Sequence, residues 1–555
     1  MIHVEHLSLS FAEDESKNIL HDVSFDLDDG EMMMLLGPSG CGKSTLTYCL
    51  NGIYPRELDG QMKGTVTVLG KVVQDQKPGE LSKHIGVVFQ DPESQFCMLT
   101  VEDEIAFGLE NLQIPRAHME GKIEEVLQLV HLSDYKEATI SSLSGGQKQK
   151  VALACVLALE PDILVLDEPT ANLDPLATKE FINTIQWLQQ QKQIGIIVIE
   201  HQLEGWASFI DRAHLLSKDG HTIFDGSLSK AIQLYGYKLQ EQGISIPTVT
   251  QYALSAAKHQ KRTYKRIPLT TEQFVSSVSY IDASIFQRKL KKGREQEQTI
   301  LSASNLQFHK QGKSIIHDVD LTLKKQEFVA IVGANGSGKT TLSRLLAGID
   351  SPTVGEITLH QRPLATWKEK QLRQEIGYVF QNPEHQFITD CVYDEIAYSL
   401  RIRCFQENDI QAQVNRILSY CKLEGLQHRH PYTLSQGQKR RLSVATMIVD
   451  DQQLLFLDEP TFGQDAASTR KIMDLLQERY ENGTTVVMIT HDMDLVDQYA
   501  DRVIVVQSGG IVADESPIAL WERPYLEQWF IEYPTRIQLQ QKMEESYDDY
   551  ATQST

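Results

Sequence analysis

Two short segments of this chain combine glycines with a lysine and a hydroxyl residue in nearly the same order. Residues 37–45 read GPSGCGKST, and residues 333–341 read GANGSGKTT. Glycines allow consecutive backbone N–H groups to close around phosphate oxygens without Cβ clashes. A helix that begins at the lysine would direct its positive end at the same anion. The pattern therefore predicts two nucleotide phosphate sites.

Each glycine-rich loop follows an apolar run, residues 32–36 or 328–332, which predicts a strand–loop–helix unit around it. Lys43 and Lys339 are expected to reach the β- and γ-phosphates, and Ser44 and Thr340 to place a hydroxyl on Mg²⁺. The expected nucleotide-binding residues are Gly37, Gly40, Gly42, Lys43, Ser44 and Thr45 in the first loop, and Gly333, Gly336, Gly338, Lys339, Thr340 and Thr341 in the second.

A second repeated motif, Asp-Glu-Pro-Thr, follows the apolar runs 163–166 and 454–457. Four consecutive apolar residues favour a strand buried on both faces of a parallel sheet, and ligands bind at the carboxyl ends of such strands. Asp167 and Asp458 are therefore expected to hold Mg²⁺, largely through water. Glu168 and Glu459 are then placed to polarise an attacking water.

The bulk properties indicate a duplicated globular chain. Its 555 residues are more than a single hydrophobic core accommodates, so more than one domain is expected. The motifs recur in the same order about 290 residues apart. No apolar stretch reaches the ~18–20 residues that cross a bilayer, and no signal peptide is visible at the N-terminus. Seven dispersed cysteines favour free thiols over a disulfide frame or zinc site, and the net charge of −22 disfavours nucleic-acid wrapping.

The predicted organisation is a first domain over residues 1–228, a basic linker over 229–298, a second domain over 299–530 and an acidic, disordered tail over 531–555. Basic runs at 258–266 and 288–294 favour a solvated tether, and a docking surface for acidic lipid or a partner is the alternative.

Further motifs carry a family resemblance. Residues 143–147, LSGGQ, resemble the signature motif of ABC-type ATPases, and residues 434–438, LSQGQ, are a variant of it. The resemblance covers nearly the whole chain outside linker and tail. It implies an α/β fold with two tandem P-loop NTPase domains, each containing a mainly parallel core sheet, an antiparallel β subdomain and an α-helical subdomain.

The same resemblance implies that ATP and Mg²⁺ are the cofactors and that each ATP lies between the P-loop of one half and the signature of the other. The signature residues expected to bind nucleotide are Ser144, Gly146, Gln147, Ser435, Gly437 and Gln438. By the same resemblance, the nucleotide and the metal would be contacted by Gln90 and Gln381. The γ-phosphate would be contacted by His201 and His491. The adenine would stack on Phe11 and Phe308. Asp174 and Asp465 resemble the loops that couple the two sites.

One residue departs from the family pattern. Gln436 replaces the first glycine of the second signature, whereas Ser435 and Gly437 remain. We therefore expect the site that pairs this signature with the first P-loop to hydrolyse ATP still.

The segments after Gln90 and Gln381 look like those of energy-coupling factor (ECF) transporter ATPases. They continue as QDPESQF and QNPEHQF and then into acidic-apolar stretches. The resemblance implies import of a vitamin, a vitamin precursor or a metal ion. The helical subdomains, about 90–160 and 381–450, would grip a membrane scaffold, and a separate membrane subunit would bind the substrate. The chain would then lie peripherally on the cytoplasmic face of the membrane and bind no nucleic acid.

Two alternatives stay open. A twin-domain sugar-import ATPase is close in organisation, although one of its sites is commonly degenerate and both sites here keep Glu and His. A ribosome-associated translation factor also carries two such domains. It is disfavoured because neither half has the expected Asn-His-Leu-Asp pattern after Asp-Glu-Pro-Thr.

Overall fold

A computed structural model describes residues 1–11, 18–38, 40–54, 60–77, 79–171, 173, 175–259, 264–277, 298–310 and 312–553. The chain divides into two compact units, which consist mainly of residues 1–280 and 281–555.

The first unit contains two sheets and a set of helices. Its strands are β1 (Ile2–Phe11), β2 (Asn18–Leu27), β3 (Met32–Leu36), β4 (Gly60–Val68), β5 (Lys71–Val72), β6 (Ile85–Val88), β7 (Ile163–Asp167), β8 (Gly195–Ile199), β9 (Arg212–Leu216) and β10 (Thr222–Ser227). Its helices are α1 (Lys43–Leu50), α2 (Val101–Asn111), α3 (Arg116–Leu129), α4 (Gly145–Ala158), α5 (Pro175–Lys192), α6 (Leu228–Glu241), α7 (Thr248–His259) and α8 (Thr271–Ser277).

The larger sheet of this unit has the order β10-β9-β3-β8-β7-β6, and the smaller antiparallel sheet has the order β2-β1-β4-β5. Every pair in the larger sheet is parallel except β9 with β10. Every residue of β3, β7 and β8 is buried, as expected for strands covered on both faces. The carboxyl ends of β3, β7 and β8 therefore lie side by side at one edge, where the predicted site residues follow.

The second unit repeats this arrangement. Its strands are β11 (Thr299–Lys310), β12 (Lys313–Lys324), β13 (Phe328–Val332), β14 (Val354–Leu359), β15 (Arg362–Pro363), β16 (Ile376–Val379), β17 (Leu454–Asp458), β18 (Thr485–Ile489), β19 (Arg502–Gln507) and β20 (Gly510–Glu515). Its helices are α9 (Lys339–Leu346), α10 (Glu369–Glu375), α11 (Val392–Ile402), α12 (Glu407–Tyr420), α13 (Gln436–Ile448), α14 (Ala466–Glu481), α15 (Met493–Tyr499), α16 (Pro517–Trp521) and α17 (Thr535–Gln553).

Its sheets have the orders β16-β17-β18-β13-β19-β20 and β12-β11-β14-β15, so the strand arrangement of the first unit recurs. Strands β13, β17 and β18 are again fully buried. The predicted fold class is confirmed, because each unit has a mainly parallel core sheet, an antiparallel sheet and a helical region.

The described parts of residues 228–277 differ from the expected solvated tether. Helices α6, α7 and α8 bury apolar side chains, among them Ile232, Leu239 and Phe274. Thr250 Oγ1 donates a 2.8 Å hydrogen bond to the carbonyl of Pro268, which ties α7 to the segment before α8. The basic run 288–294 lies outside the described residues, and so does part of the run 258–266. The tail also differs from expectation, because α17 occupies Thr535–Gln553.

No helix in the described ranges is long and apolar enough to span a bilayer.

Candidate nucleotide sites

The first glycine-rich loop joins the buried strand β3 to helix α1, as the sequence predicts. Lys43 is buried at the start of α1, and its Nζ donates hydrogen bonds to the carbonyls of Gly37 (2.8 Å) and Pro38 (3.1 Å). In the second unit, Lys339 Nζ donates to the carbonyls of Gly333 (2.8 Å) and Ala334 (2.7 Å). Each ammonium group therefore lies inside the curve of its own loop, next to the position predicted for a phosphate.

Glycines at matching positions of the two loops adopt left-handed backbone conformations. Gly40 and Gly42 have φ values of +78° and +99°, and Gly336 and Gly338 have values of +75° and +106°. A Cβ at Gly42 would approach Leu20 Cδ2 to 2.7 Å, and one at Gly338 would approach Ile316 Cδ1 to 2.9 Å. The backbone conformation therefore favours glycine at all four positions, and packing disfavours a Cβ at Gly42 and Gly338 as well.

A hydroxyl group and a carboxylate meet beside each loop. Thr340 Oγ1 donates a 2.8 Å hydrogen bond to Asp458 Oδ2, and Ser44 is likewise hydrogen-bonded to Asp167. Burial raises the pKa of both aspartates, against the opposing effect of these hydrogen bonds. Hydroxyl and carboxylate oxygens are hard ligands of the kind that Mg²⁺ prefers, so the donor set fits the predicted metal.

Glu168 lies directly after β7 and contacts two other predicted site residues. Gln90 Nε2 donates a 2.7 Å hydrogen bond to Glu168 Oε2, and His201 Nε2 lies 2.9 Å from Glu168 Oε1. Burial would raise the pKa of Glu168, but the hydrogen bond from His201 and the charges of His201 and Lys43 outweigh burial and lower it. The structure thus joins a carboxylate, an imidazole and an amide at one point.

The second unit places Glu459 and His491 in the same relation. His491 Nε2 lies 3.2 Å from Glu459 Oε1, and that oxygen is buried without a hydrogen-bond partner among the described residues. Burial and the charge of Asp458 raise the pKa of Glu459 to about 8. Both Glu168 and Glu459 have positive φ values, +49° and +51°. Such strain in non-glycine residues persists where the surrounding structure imposes it, often at functional sites.

The signature residues cap helices instead of contacting the P-loop of their own unit. Ser144 caps α4 by accepting a hydrogen bond from the backbone N–H of Gln147, and the Gln147 side chain accepts one from the Ser144 N–H. Ser435 and Gln438 form the same capping box on α13. Their predicted contact with nucleotide stays a prediction.

The substituted signature residue has a simple structural explanation. Gln436 is the first residue of α13 and adopts no left-handed conformation, so a side chain fits where the family pattern has glycine. Gly146 and Gly437 follow in ordinary helical geometry. A Cβ on either would come no closer than 3.5 Å to a neighbouring atom.

The structure shows less about the other predicted site residues. Phe308 is partly buried against the core at the end of β11, and Gln381 is exposed after β16. The side chain of Phe11 and the whole of Asp174 lie outside the described residues. The roles of Phe308, Gln381 and Asp465 remain predictions.

A repeated ion pair was missed by sequence reasoning. Lys148 of α4 pairs with Glu93, and Lys439 of α13 pairs with Glu384 at 2.6 Å. Each pair links the helix that follows a signature to the 3₁₀ turn that follows Gln90 or Gln381. The recurrence of Lys and Glu at matching positions of both halves was the available signal.

The loop between α6 and α7 also contacts the segment that carries His201. The backbone N–H of Ser245 donates a 2.7 Å hydrogen bond to the His201 carbonyl, and the Leu203 N–H donates a 2.9 Å bond to the Ser245 carbonyl. Ser245 therefore helps to fix the backbone of a predicted site residue.

Comparison with known proteins agrees with this geometry. The family profile described as ABC transporter matches residues 20–171 and 316–462. A Bacillus subtilis protein, YkoD, named for its part in HMP/thiamine import as an ATP-binding protein, is 45% identical over 94% of this chain and 93% of its own length. An ABC transporter ATP-binding protein of Methanosarcina mazei is 35% identical over 93% of this chain and 88% of its own length.

Among solved structures, the archaeal ribosome recycling factor aABCE1 in complex with stalk protein aP1 has a TM-score of 0.59. The match covers 92% of this chain and 90% of the aABCE1 chain at 19% identity, so it shows a likeness of the twin-domain fold alone. The family profile and the two relatives decide the class: the chain belongs to the ABC transporter family of ATP-binding proteins.

Proposed function

We propose that this chain is the ATP-hydrolysing, energy-coupling subunit of an importer, and that it drives uptake of a vitamin or vitamin precursor through separate membrane subunits. The observation that carries the proposal is 45% identity over nearly the whole length of a relative named for HMP/thiamine import. The duplicated Lys, Asp, Glu and His residues support it, because both halves keep complete sets.

The lysines and loop glycines are proposed to bind the phosphates of ATP. Lys43 and Lys339 already point into their loops, so an entering phosphate would exchange weak bonds to carbonyls for charge-assisted bonds to anionic oxygens. The N-termini of α1 and α9 add favourable partial charge at the same place.

Mg²⁺ would be held by the pairs Ser44–Asp167 and Thr340–Asp458, and when bound it would neutralise charge on the phosphate oxygens. Gln90, whose amide donates a hydrogen bond to Glu168, is proposed to help to hold a water near the metal.

Glu168 and Glu459 are proposed as the general bases. Each lies at the carboxyl end of a core strand with a histidine Nε2 within 3.2 Å. In its ionised form, each glutamate would accept a proton from a water that attacks the γ-phosphate, and in the first half the hydrogen bond from His201 restricts the orientation of Glu168. We infer that both halves hydrolyse ATP.

The helical regions are proposed to dock membrane proteins. Each exposes apolar side chains near the 3₁₀ turn after Gln90 or Gln381; Leu99 is 82% exposed and Ile388 is 64% exposed. Such side chains fit a membrane-protein partner that buries them. The ion pairs Lys148–Glu93 and Lys439–Glu384 would transmit movement between this surface and the signature helices.

The proposal is tested by purifying the tagged chain from detergent-solubilised membranes of its native cells and identifying its partners by mass spectrometry. Co-purification of a multi-span scaffold with a small hydrophobic subunit that binds thiamine or hydroxymethylpyrimidine is expected. Recovery of ribosomal proteins without membrane subunits would overturn the proposal and favour the translation-factor alternative.

A further inference from the structure

Glu200 is a buried carboxylate next to the first predicted site, and no motif accounts for it. It follows β8 directly and is 3% exposed. Its Oε1 accepts hydrogen bonds from the backbone N–H of Thr170 (3.0 Å) and from Thr170 Oγ1 (2.5 Å), and its Oε2 accepts one from the His201 N–H (3.2 Å). The side chain therefore links the segment that contains Thr170 to the segment that Glu200 itself begins and that continues with His201.

Those two loops carry the groups that would hydrolyse ATP. Thr170 ends the Asp-Glu-Pro-Thr motif that contains Glu168, and His201 Nε2 lies 2.9 Å from Glu168 Oε1. The contacts form a closed ring. Glu168 contacts the His201 side chain, the His201 N–H donates to Glu200, Glu200 accepts from Thr170, and Thr170 is two residues after Glu168 in the chain. Such a ring restricts the distance between base and imidazole.

The second half lacks this carboxylate. The residue before His491 is Thr490, whose short side chain accepts a 3.1 Å bond from the Asp492 N–H. In that half the histidine lies 3.2 Å from Glu459, and the Glu459 oxygen nearest to it has no hydrogen-bond partner among the described residues. In the second half the Glu459 carboxylate itself accepts a hydrogen bond from the His491 backbone, so a link through a carboxylate that precedes the histidine belongs to the first half.

We propose that Glu200 is a positioning residue that holds Glu168 and His201 in register for ATP hydrolysis in the first half of the chain. The inference rests on the proposed function. A buried carboxylate is costly unless donors satisfy it, and all the recorded donors here come from the two loops that frame the site. A buried carboxylate that served packing alone would not need to join these two segments.

The experiment uses the full chain carrying Glu459→Gln, so that turnover reports the first half. Glu200→Thr installs the residue that the chain itself uses in the second half, and Glu200→Gln keeps an oxygen for Thr170. Glu104→Gln is the matched control, because Glu104 is also buried and accepts two backbone N–H bonds, from Cys97 and Met98, away from the site.

We expect Glu200→Thr to lower kcat about tenfold with little change in KM, because misplacement of a catalytic group affects the chemical step more than binding. Glu200→Gln should recover most of kcat, and Glu104→Gln should leave kcat unchanged.

Hydrogen exchange of the nucleotide-free chain provides a readout that does not depend on turnover. Glu200→Thr should speed exchange of the Thr170 and His201 amides about tenfold, while the amides of Thr461 and His491 keep their rates. Unchanged exchange, or a kcat equal to that of the parent chain, would overturn the role of Glu200. Absence of turnover in the chain without substitutions would instead overturn the proposed function, and the exchange result would still show whether Glu200 holds the two loops.

Discussion

The stability of the first unit should depend on pH through Glu200. Burial raises the pKa of this carboxyl to about 7, against the hydrogen bonds from Thr170 and His201, and the charge of Glu168 adds to the rise. Between its ordinary pKa and pH 7 the folded state binds a proton that the unfolded state has lost. The free energy of unfolding therefore falls as pH rises through this window.

The size of the effect follows from the shift. A change from 4.5 to about 7 corresponds to about 3 kcal/mol in total, and roughly 2 kcal/mol of that is lost between about pH 5.5 and pH 8. Glu200→Gln removes the ionisable proton. The variant should therefore lack this part of the pH dependence and gain stability relative to the parent chain as pH rises.

The assay is urea unfolding followed by pulse labelling of thiols and mass spectrometry. Cys49 is buried in the first unit and Cys421 in the second, so one sample reports both units. The Cys49 midpoint of the parent chain should fall relative to that of Glu200→Gln by about 1 M urea from pH 5.5 to pH 8. The Cys421 midpoint should be the same in both chains.

The exposed Glu125 provides a control for net charge. Glu125→Gln removes the same charge without burial, so its Cys49 midpoint should follow the parent chain. Equal pH dependence of the Cys49 midpoint in Glu200→Gln and the parent chain would show that Glu200 does not take up a proton on folding.

Three further predictions follow from the sites. Glu168→Gln or Glu459→Gln alone should leave roughly half of the ATP turnover, and both together should abolish it; complete loss with Glu459→Gln alone would show that the first half cannot act independently. A double-mutant cycle of Lys439→Ala and Glu384→Ala, read by urea unfolding, should give a coupling energy of about 1 kcal/mol, and a value near zero would remove this ion pair from the account. Gly338→Ala should destabilise the second unit by about 2 kcal/mol or more and weaken binding of a fluorescent ATP analogue, whereas unchanged binding would contradict the close fit of this loop.

Residues defined by repeated, short-range patterns could be predicted from the sequence. The strand–loop–helix units around Lys43 and Lys339 and the buried strands before Asp167 and Asp458 are where the motifs predicted them. These features are local, because an apolar run and a glycine pattern determine them almost alone.

Other features depend on contacts that the sequence does not display. Helices α6 to α8 were missed because basic runs dominate the composition of the segment, while the apolar residues that the helices bury are spread between them. Glu200 was missed because it has no counterpart in the second half and no motif, and only the fold brings its carboxylate to Thr170. The capping role of Gln147 is equally invisible without the helix that it caps.

ATP hydrolysis by this chain is proposed to power uptake through membrane partners. The most direct test reconstitutes the complex co-purified with the chain into vesicles and measures accumulation of radiolabelled thiamine or hydroxymethylpyrimidine. Accumulation should require ATP and should be lost when Glu168→Gln and Glu459→Gln are combined. Accumulation of equal rate without ATP, or with the double variant, would contradict the proposal.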